Sequence, residues 1–274
     1  MNEELANQDD NLLTVDQAIA NLQGEDLGLR MYAAWWLGRF RVDDPTAIEV
    51  LITALNDEDD RTEIGGYPLR RNAARALGKL GDRQAVPALI EALACPDFYV
   101  REAAAQALET LGDLAGVPVL LELLQNQIPG TLPAPEPPNL VQPYDAILEA
   151  LGGLGDQSVI ADVQPFLDHE IPRIQYAAAR AMYQLSDEPE ANQYGDRLIQ
   201  ALLGSELQLR RTALADLGAI GYLAAAQPIA QTLAENSLKL ISLKGLLEKQ
   251  LQLEPLPNLS KGAIEVMALM DGLL

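Results

Sequence analysis

The stretch RNAARALGKLGDRQAVPALIEAL, Arg71 to Leu93, reads as a helix, a Gly-Asp turn and a second helix opened near a proline. It is written again as REAAAQALETLGDLAGVPVLLELL from Arg101 and as YDAILEALGGLGDQSVIADVQPFL from Tyr144. Looser copies begin at Arg30 (RMYAAWWLGRFRVDDPTAIEVLITAL), Ile174 and Arg210. Pro45, Pro87 and Pro118 fall near the start of a second helix, where a missing N–H costs nothing. No copy can bury its apolar face alone, so the copies must stack.

The compact repeat is roughly 31 residues and stretches to about 40 where loops are inserted, the range of helical-hairpin solenoids. The spacing predicts an all-α fold: an α-solenoid of HEAT-like helical-hairpin repeats, about five to six of them. The expected division is an N-terminal cap over residues 1–27, the solenoid over 28–235 and a C-terminal helical cap over 236–274. Two inserts interrupt the pattern, NDEDDRTEIGGYPL from Asn56 and IPGTLPAPEPPNLVQP from Ile128; the second is too proline-rich for helix and should run as an extended loop.

Composition agrees with helix. Of the 274 residues, 49% are apolar but only 5% are aromatic, and alanine and leucine enter helices at little cost. The net charge is −21, from 40 acidic and 19 basic residues, so the field of the whole molecule repels nucleic acid and anionic lipid. The start, MNEELANQDDNLL, lacks the pattern of a signal peptide, and no apolar run approaches the roughly 18 residues of a membrane span. A cytoplasmic protein is expected. One cysteine, Cys95, and one histidine, His169, allow neither an internal disulfide nor a Cys/His zinc cluster.

Counted from Arg30, Arg70, Arg101 and Arg210, small or apolar residues recur three, four, seven and ten positions on. They are Ala33, Ala34, Leu37 and Phe40, then Ala73, Ala74, Leu77 and Leu80, then Ala104, Ala105, Leu108 and Leu111, then Ala213, Leu214, Leu217 and Ile220. These form the expected core stripe. Arg30, Arg101 and Arg210 are read as rungs bonding the turns of neighbouring repeats, with Asp97 as a helix N-cap. His169 can hold the same place in its own repeat. Cys95, followed by Pro96 at a turn, is read as a small buried thiol.

Positions one, five and nine after the register arginine lie opposite that stripe. They are Met31, Trp35 and Arg39 in the first copy, Arg71, Arg75 and Lys79 in the second, and Glu102, Gln106 and Thr110 in the third. Trp35 should therefore point away from its own core, with Trp36 on the flank. Arginines and a lysine stacked at i, i+4 repel one another unless an anion answers them. An indole beside a basic row suits a flat apolar ligand bearing carboxylates, or an acidic, aromatic partner surface. The competing reading packs Trp35 under Leu12, Leu13 and Val15 as a cap and pairs the arginines with local acids such as Asp57 to Asp60.

MYAAWWLGRFR, GGYPLRRNAARALGKLGD and CPDFYVREAAAQALE resemble the E subunits of the E/F-type phycobilin lyases, over about residues 28 to 235. The resemblance implies a heterodimer with an F-type subunit. The pair would attach phycocyanobilin, through a thioether, to a cysteine of the phycocyanin α subunit. It implies no cofactor: the bilin, an open-chain tetrapyrrole with two propionates, is the substrate. On this footing Arg71 and Arg75, or Arg39 and Arg41, are candidates to meet the propionates, with Trp35 and Trp36 against the ring system. Asp97 is a candidate acid, with Tyr99 and Tyr67 as orienting groups, beside its reading as a cap.

Two other readings stand beside this one: an E subunit serving another phycobiliprotein such as phycoerythrocyanin, and a non-catalytic HEAT adaptor. The C-terminal run QPIAQTLAENSLKLISLKGLLEKQLQLEPL carries more apolar positions than one capping face needs. Leu238, Leu240, Ile241, Leu246 and Leu247 are read either as a partner surface for the F-type subunit or as an ordinary terminal cap.

Overall fold

A computed structural model describes residues 13–125, 140–253 and 259–274, and every ordered element in them is helical. The first helix, α1 (Val15–Leu22), opens on a capping box in which Thr14 Oγ1 accepts from Gln17 N at 3.2 Å and Gln17 Oε1 accepts from Thr14 N at 3.0 Å. Then come α2 (Leu27–Arg39), α3 (Pro45–Ala54), α4 (Pro68–Leu80), α5 (Val86–Ala92), α6 (Phe98–Leu111) and α7 (Val117–Gln125). A second series follows: α8 (Tyr144–Leu154), α9 (Ile160–Val163), α10 (Pro172–Leu185), α11 (Ala191–Leu203), α12 (Leu207–Ile220) and α13 (Ala226–Gln231). The chain ends with α14 (Asn236–Leu253) and α15 (Lys261–Asp271).

The hairpin pattern predicts this order, and the pairs α2/α3 through α12/α13 are the six copies. Contacts gather the chain into two compact units, residues 1–143 and 144–274, a boundary inside the predicted solenoid segment. The proline-rich insert lies almost wholly outside the described residues, as does Leu12. Among the described residues no helix is long and apolar enough to cross a membrane.

Within each unit the register helices stack on one another: α2, α4 and α6 in the first, α8, α10, α12 and α14 in the second. Small residues make the approach close. A Cβ on Gly38 would lie 2.6 Å from Ala76 Cα, and one on Gly78 would lie 2.9 Å from Ala107 Cα. The predicted stripe is buried with exceptions at its last position: Leu80 is half-buried, and Phe40 is 61% exposed. The reason is local, since α2 ends at Arg39 and Phe40 leaves the helical path to rest against Trp36, with ring centres 4.9 Å apart.

The register arginines tie each turn to the next. Arg30 Nε donates to Leu22 O at 3.2 Å while its other end pairs with Asp57 of the following turn. Arg70 donates to Asp57 O at 2.6 Å and Asn56 O at 3.4 Å and pairs with Glu58. Arg101, fully buried, donates to Cys95 O at 2.7 Å, Pro96 O at 2.9 Å, Val141 O at 2.5 Å and Gln142 Oε1 at 3.1 Å. Arg210 bonds Gly204 O, Ser205 O and Leu233 O in the second unit. A buried guanidinium is tolerated because turn carbonyls, which no helix satisfies, occupy its donors.

Candidate functional site

The structure sorts the candidate catalytic and bilin-binding residues into three places, all in the first unit. The first is the surface of α2. Trp35 keeps 45% of its area exposed and stacks on Tyr32, ring centres 5.6 Å apart and planes 30° from parallel. Although α1 packs on α2, the side chain of Trp35 is not buried under it. Trp36 is half-buried against Phe40, and Arg39 is exposed with no carboxylate within ion-pair distance among the described residues.

The second place is the cluster where α4 and α6 begin. Asp97 is buried as the N-cap of α6: Oδ1 accepts from Tyr99 N at 2.8 Å and Oδ2 from Tyr67 N at 2.7 Å. Both carboxylate oxygens thus serve backbone donors, one on each side of the repeat. Tyr67 is buried, with its ring 4.0 Å under the Arg70 guanidinium and its hydroxyl donating to Glu58 at 3.1 Å. Arg71 lies over the Tyr99 ring at 5.6 Å. His169 does not take the place of Asp97: its Nδ1 accepts from Ile171 N at 3.1 Å, but Ile171 is the N-cap residue of α10 and has no side-chain cap. The His169 carbonyl accepts from Gln175 as that of Cys95 does from Arg101. Cys95 is buried too, and burial pushes its thiol above the usual range, so it is a poor nucleophile at neutral pH.

The third place is an open groove of about 530 Å³ between α4 and α6. Arg41, Arg75 and Lys79 line it together with Gln106 and Thr110, and its floor is Gly78, Ala103 and Ala107. The floor is flat because the helices touch backbone to backbone there, which leaves the longer side chains standing as walls. Arg75 reaches Glu102 only at 3.8 Å, beyond hydrogen-bond distance. Lys79 has no carboxylate within ion-pair distance among the described residues.

Sequence reasoning singles out Arg41 and Arg75 and places Lys79 in the same basic row, but does not single out Gln106 and Thr110. They belong to the same row at positions five and nine, so the signal was present. It also missed what is unusual about Arg41. After α4, α6, α8 and α12 the chain turns through Gly81, Gly112, Gly155 and Gly221, all in the left-handed region with φ between 63° and 80°. Aligning LGRFRVD on LGKLGDR puts Arg41 at that place, and its φ is 49°. A side chain there costs on the order of 1 kcal/mol that glycine does not.

The predicted C-terminal patch is largely taken up by the core. Leu246 is fully buried and Leu247 packs against the same cluster, while Leu238 and Leu240 are half-buried. That corrects the reading of Leu246 as surface: it sits on the face of α14 that closes over α12. Ile241, 66% exposed, is the member of the set left open to solvent. It borders a second groove, of about 180 Å³ between α12 and α14, lined by Arg211, Ala215, Gly218, Ala219 and Ser242 among others.

Comparison with known proteins gives a consistent result. The PBS lyase HEAT-like repeat family matches residues 29–57, and HEAT repeats match residues 67–131. The chain is 76% identical over 269 residues to a phycocyanobilin lyase subunit alpha of Microchaete diplosiphon, covering 97% of this chain and 92% of that protein. It is 70% identical to the same-named protein of Pseudanabaena tenuis, over the whole of both chains. Among solved structures it matches the complex of CpcE and CpcF of phycocyanin lyase from Nostoc sp. PCC7120, with TM-score 0.86, 58% identity and 99% of each chain covered.

Proposed function

Since the chain belongs to the phycocyanobilin lyase alpha-subunit family, we propose that it acts as one half of a heterodimeric lyase. With its F-type partner it attaches phycocyanobilin to a cysteine of the phycocyanin α subunit. The observation that carries this is full-length identity to curated lyase subunits, joined to a full-length structural match with the E chain of a solved lyase pair. A bare HEAT adaptor would not require that match.

In the reaction, the acceptor thiol adds to the ethylidene group on ring A of the bilin. A carbon–sulfur bond forms, the double bond is consumed and the thiol's proton ends on the bilin. No electrons are gained or lost, so the proposal needs no redox cofactor, and the bilin enters as substrate. The work left to the protein is to hold a flexible tetrapyrrole in one conformation beside the acceptor. We place the bilin in the α4/α6 groove, with its carboxylates on Arg41, Arg75 and Lys79 and its ring system over the flat alanine and glycine floor. The aromatic strip at Trp35 continues the same row of helix positions.

Asp97 is not assigned as the acid, since both its oxygens cap helices. The acceptor thiolate itself is the nucleophile. A chain of 274 residues with one buried cysteine suits the reducing cytoplasm, which we propose as its compartment.

The test is co-expression of this chain with phycocyanin α apoprotein and a phycocyanobilin source, with and without the F-type partner. Zinc-enhanced fluorescence of the denatured α subunit reports covalent bilin. The expected outcome is labelling only when both lyase chains are present. An α subunit that stays colourless, under conditions where a functional lyase pair labels it, would remove the phycocyanin assignment.

A further inference from the structure

Resting on the placement of the bilin above, we infer that Arg41 is the residue that reads an ionised carboxylate of the ligand, and that the groove selects free-acid bilins over their esters through it. Three observations carry the inference. First, Arg41 stands where four other repeat turns have glycine, in a backbone conformation an arginine adopts only at a cost. A strained residue that brings no local bond worth having is a sign of function, and glycine would make the turn more easily.

Second, the local bond is weak. Arg41 donates a single hydrogen bond to Lys79 O at 3.4 Å, in an exposed position, which leaves four of its five N–H groups without a partner among the described residues. In the next repeat a tie to the following turn is made by Arg83, which reaches Gly112 O at 3.1 Å from two residues beyond a glycine turn. The stack therefore needs no arginine at the turn itself.

Third, the cations that sequence reasoning put beside Arg41 are differently placed. Arg39 does not line the groove, and Arg71 is half-buried over Tyr99. Arg41, Arg75 and Lys79 converge on one opening in a molecule of net charge −21. Like charges gathered there repel until an anion arrives, and a guanidinium fork matches a carboxylate in two parallel bonds.

The experiment compares wild-type chain with Arg41→Gly and Arg41→Lys, each in complex with the F-type partner. Phycocyanobilin and its dimethyl ester are titrated by absorbance, and thermal midpoints are recorded alongside. Arg41→Gly should melt at the wild-type temperature or a few degrees above it, because glycine relieves the turn. It should bind the free acid roughly tenfold more weakly and the ester as wild type does. Arg41→Lys should fall between the two.

Gain of stability with loss of affinity is a pairing that a merely structural arginine would not produce. Wild-type binding of acid and ester with equal affinity, or an Arg41→Gly variant that binds the free acid as tightly as wild type, overturns the role of Arg41 and leaves the lyase assignment standing. Failure of the wild-type complex to bind either form overturns the groove as the bilin site, and the inference with it.

Discussion

The two units carry the same helix positions to opposite ends. In the first, places five, eight and nine after the register arginine are Arg75, Gly78 and Lys79, and they line an open groove in which, among the described residues, Arg75 has Glu102 at 3.8 Å and Lys79 has no carboxylate within ion-pair distance. In the second, the same places on α12 are Ala215, Gly218 and Ala219, and they line a smaller, apolar groove against α14. Three arginines of the second unit are paired with its own acids. Arg180 meets Glu149 at 2.9 Å and Asp216 at 3.4 Å, across three successive register helices. Arg211 pairs with Glu235 and Arg173 with Asp145. Glycine at place eight is common to both because it sets helix spacing; the residues on either side of it are free to differ, and they separate a face that awaits an anion from one already neutral.

The comparison can be broken by mutation. The largest effect is expected at Asp216→Ala, which removes a buried acid from the Arg180 ladder. The cost should be about 2 kcal/mol in chemical denaturation, because the mostly buried Arg180 loses one of the carboxylates it is paired with. A change below about 1 kcal/mol would mean that the second unit is not held by this pairing.

Next comes the double variant Arg75→Ala with Lys79→Ala, which rewrites the first groove in the second's residues. Stability should move by less than about 1 kcal/mol, since these cations are exposed. Bilin transfer to the acceptor should fall on the order of 10- to 100-fold. Equal loss of stability and transfer would turn the open row into a structural one.

The smallest effect is a matter of pH. Burial, together with the hydrogen bond it donates to Asp196 at 2.8 Å, pushes the Tyr222 phenol up to about 12. A phenol raised in the folded state stabilises fully below its unfolded value near 10, and that contribution is lost as pH climbs through about 12. Tyr222→Phe should lower stability by about 1 kcal/mol at neutral pH. The variant's stability should also fall less steeply than wild type between about pH 10 and 12, as followed by far-UV circular dichroism at rising pH.

The legibility of the molecule was uneven. Helices, turns and the arginine rungs were readable because each depends on residues a few places apart or on a register that recurs. Phe40 and Leu246 were misplaced because periodicity extends a stripe past the point where a helix ends, and does not reveal which face a terminal helix closes with. Of the candidate site residues, Arg41 and Arg75 meet in one groove, whereas Asp97, Tyr67, Tyr99 and Arg71 gather at helix starts. Spacing gave all of them the same standing.

What the sequence by itself determined is the solenoid, its arginine ladder and the presence of a basic row on an acidic protein, since local propensity and repetition are properties of the chain alone. Only the tertiary structure decided which cations remain open and which acids are already engaged. It also decided that Arg41 turns through a glycine's conformation to reach the groove. Those facts depend on which side chains from different helices come within a few ångströms of one another, and that distance is set by helix packing, not by separation along the chain.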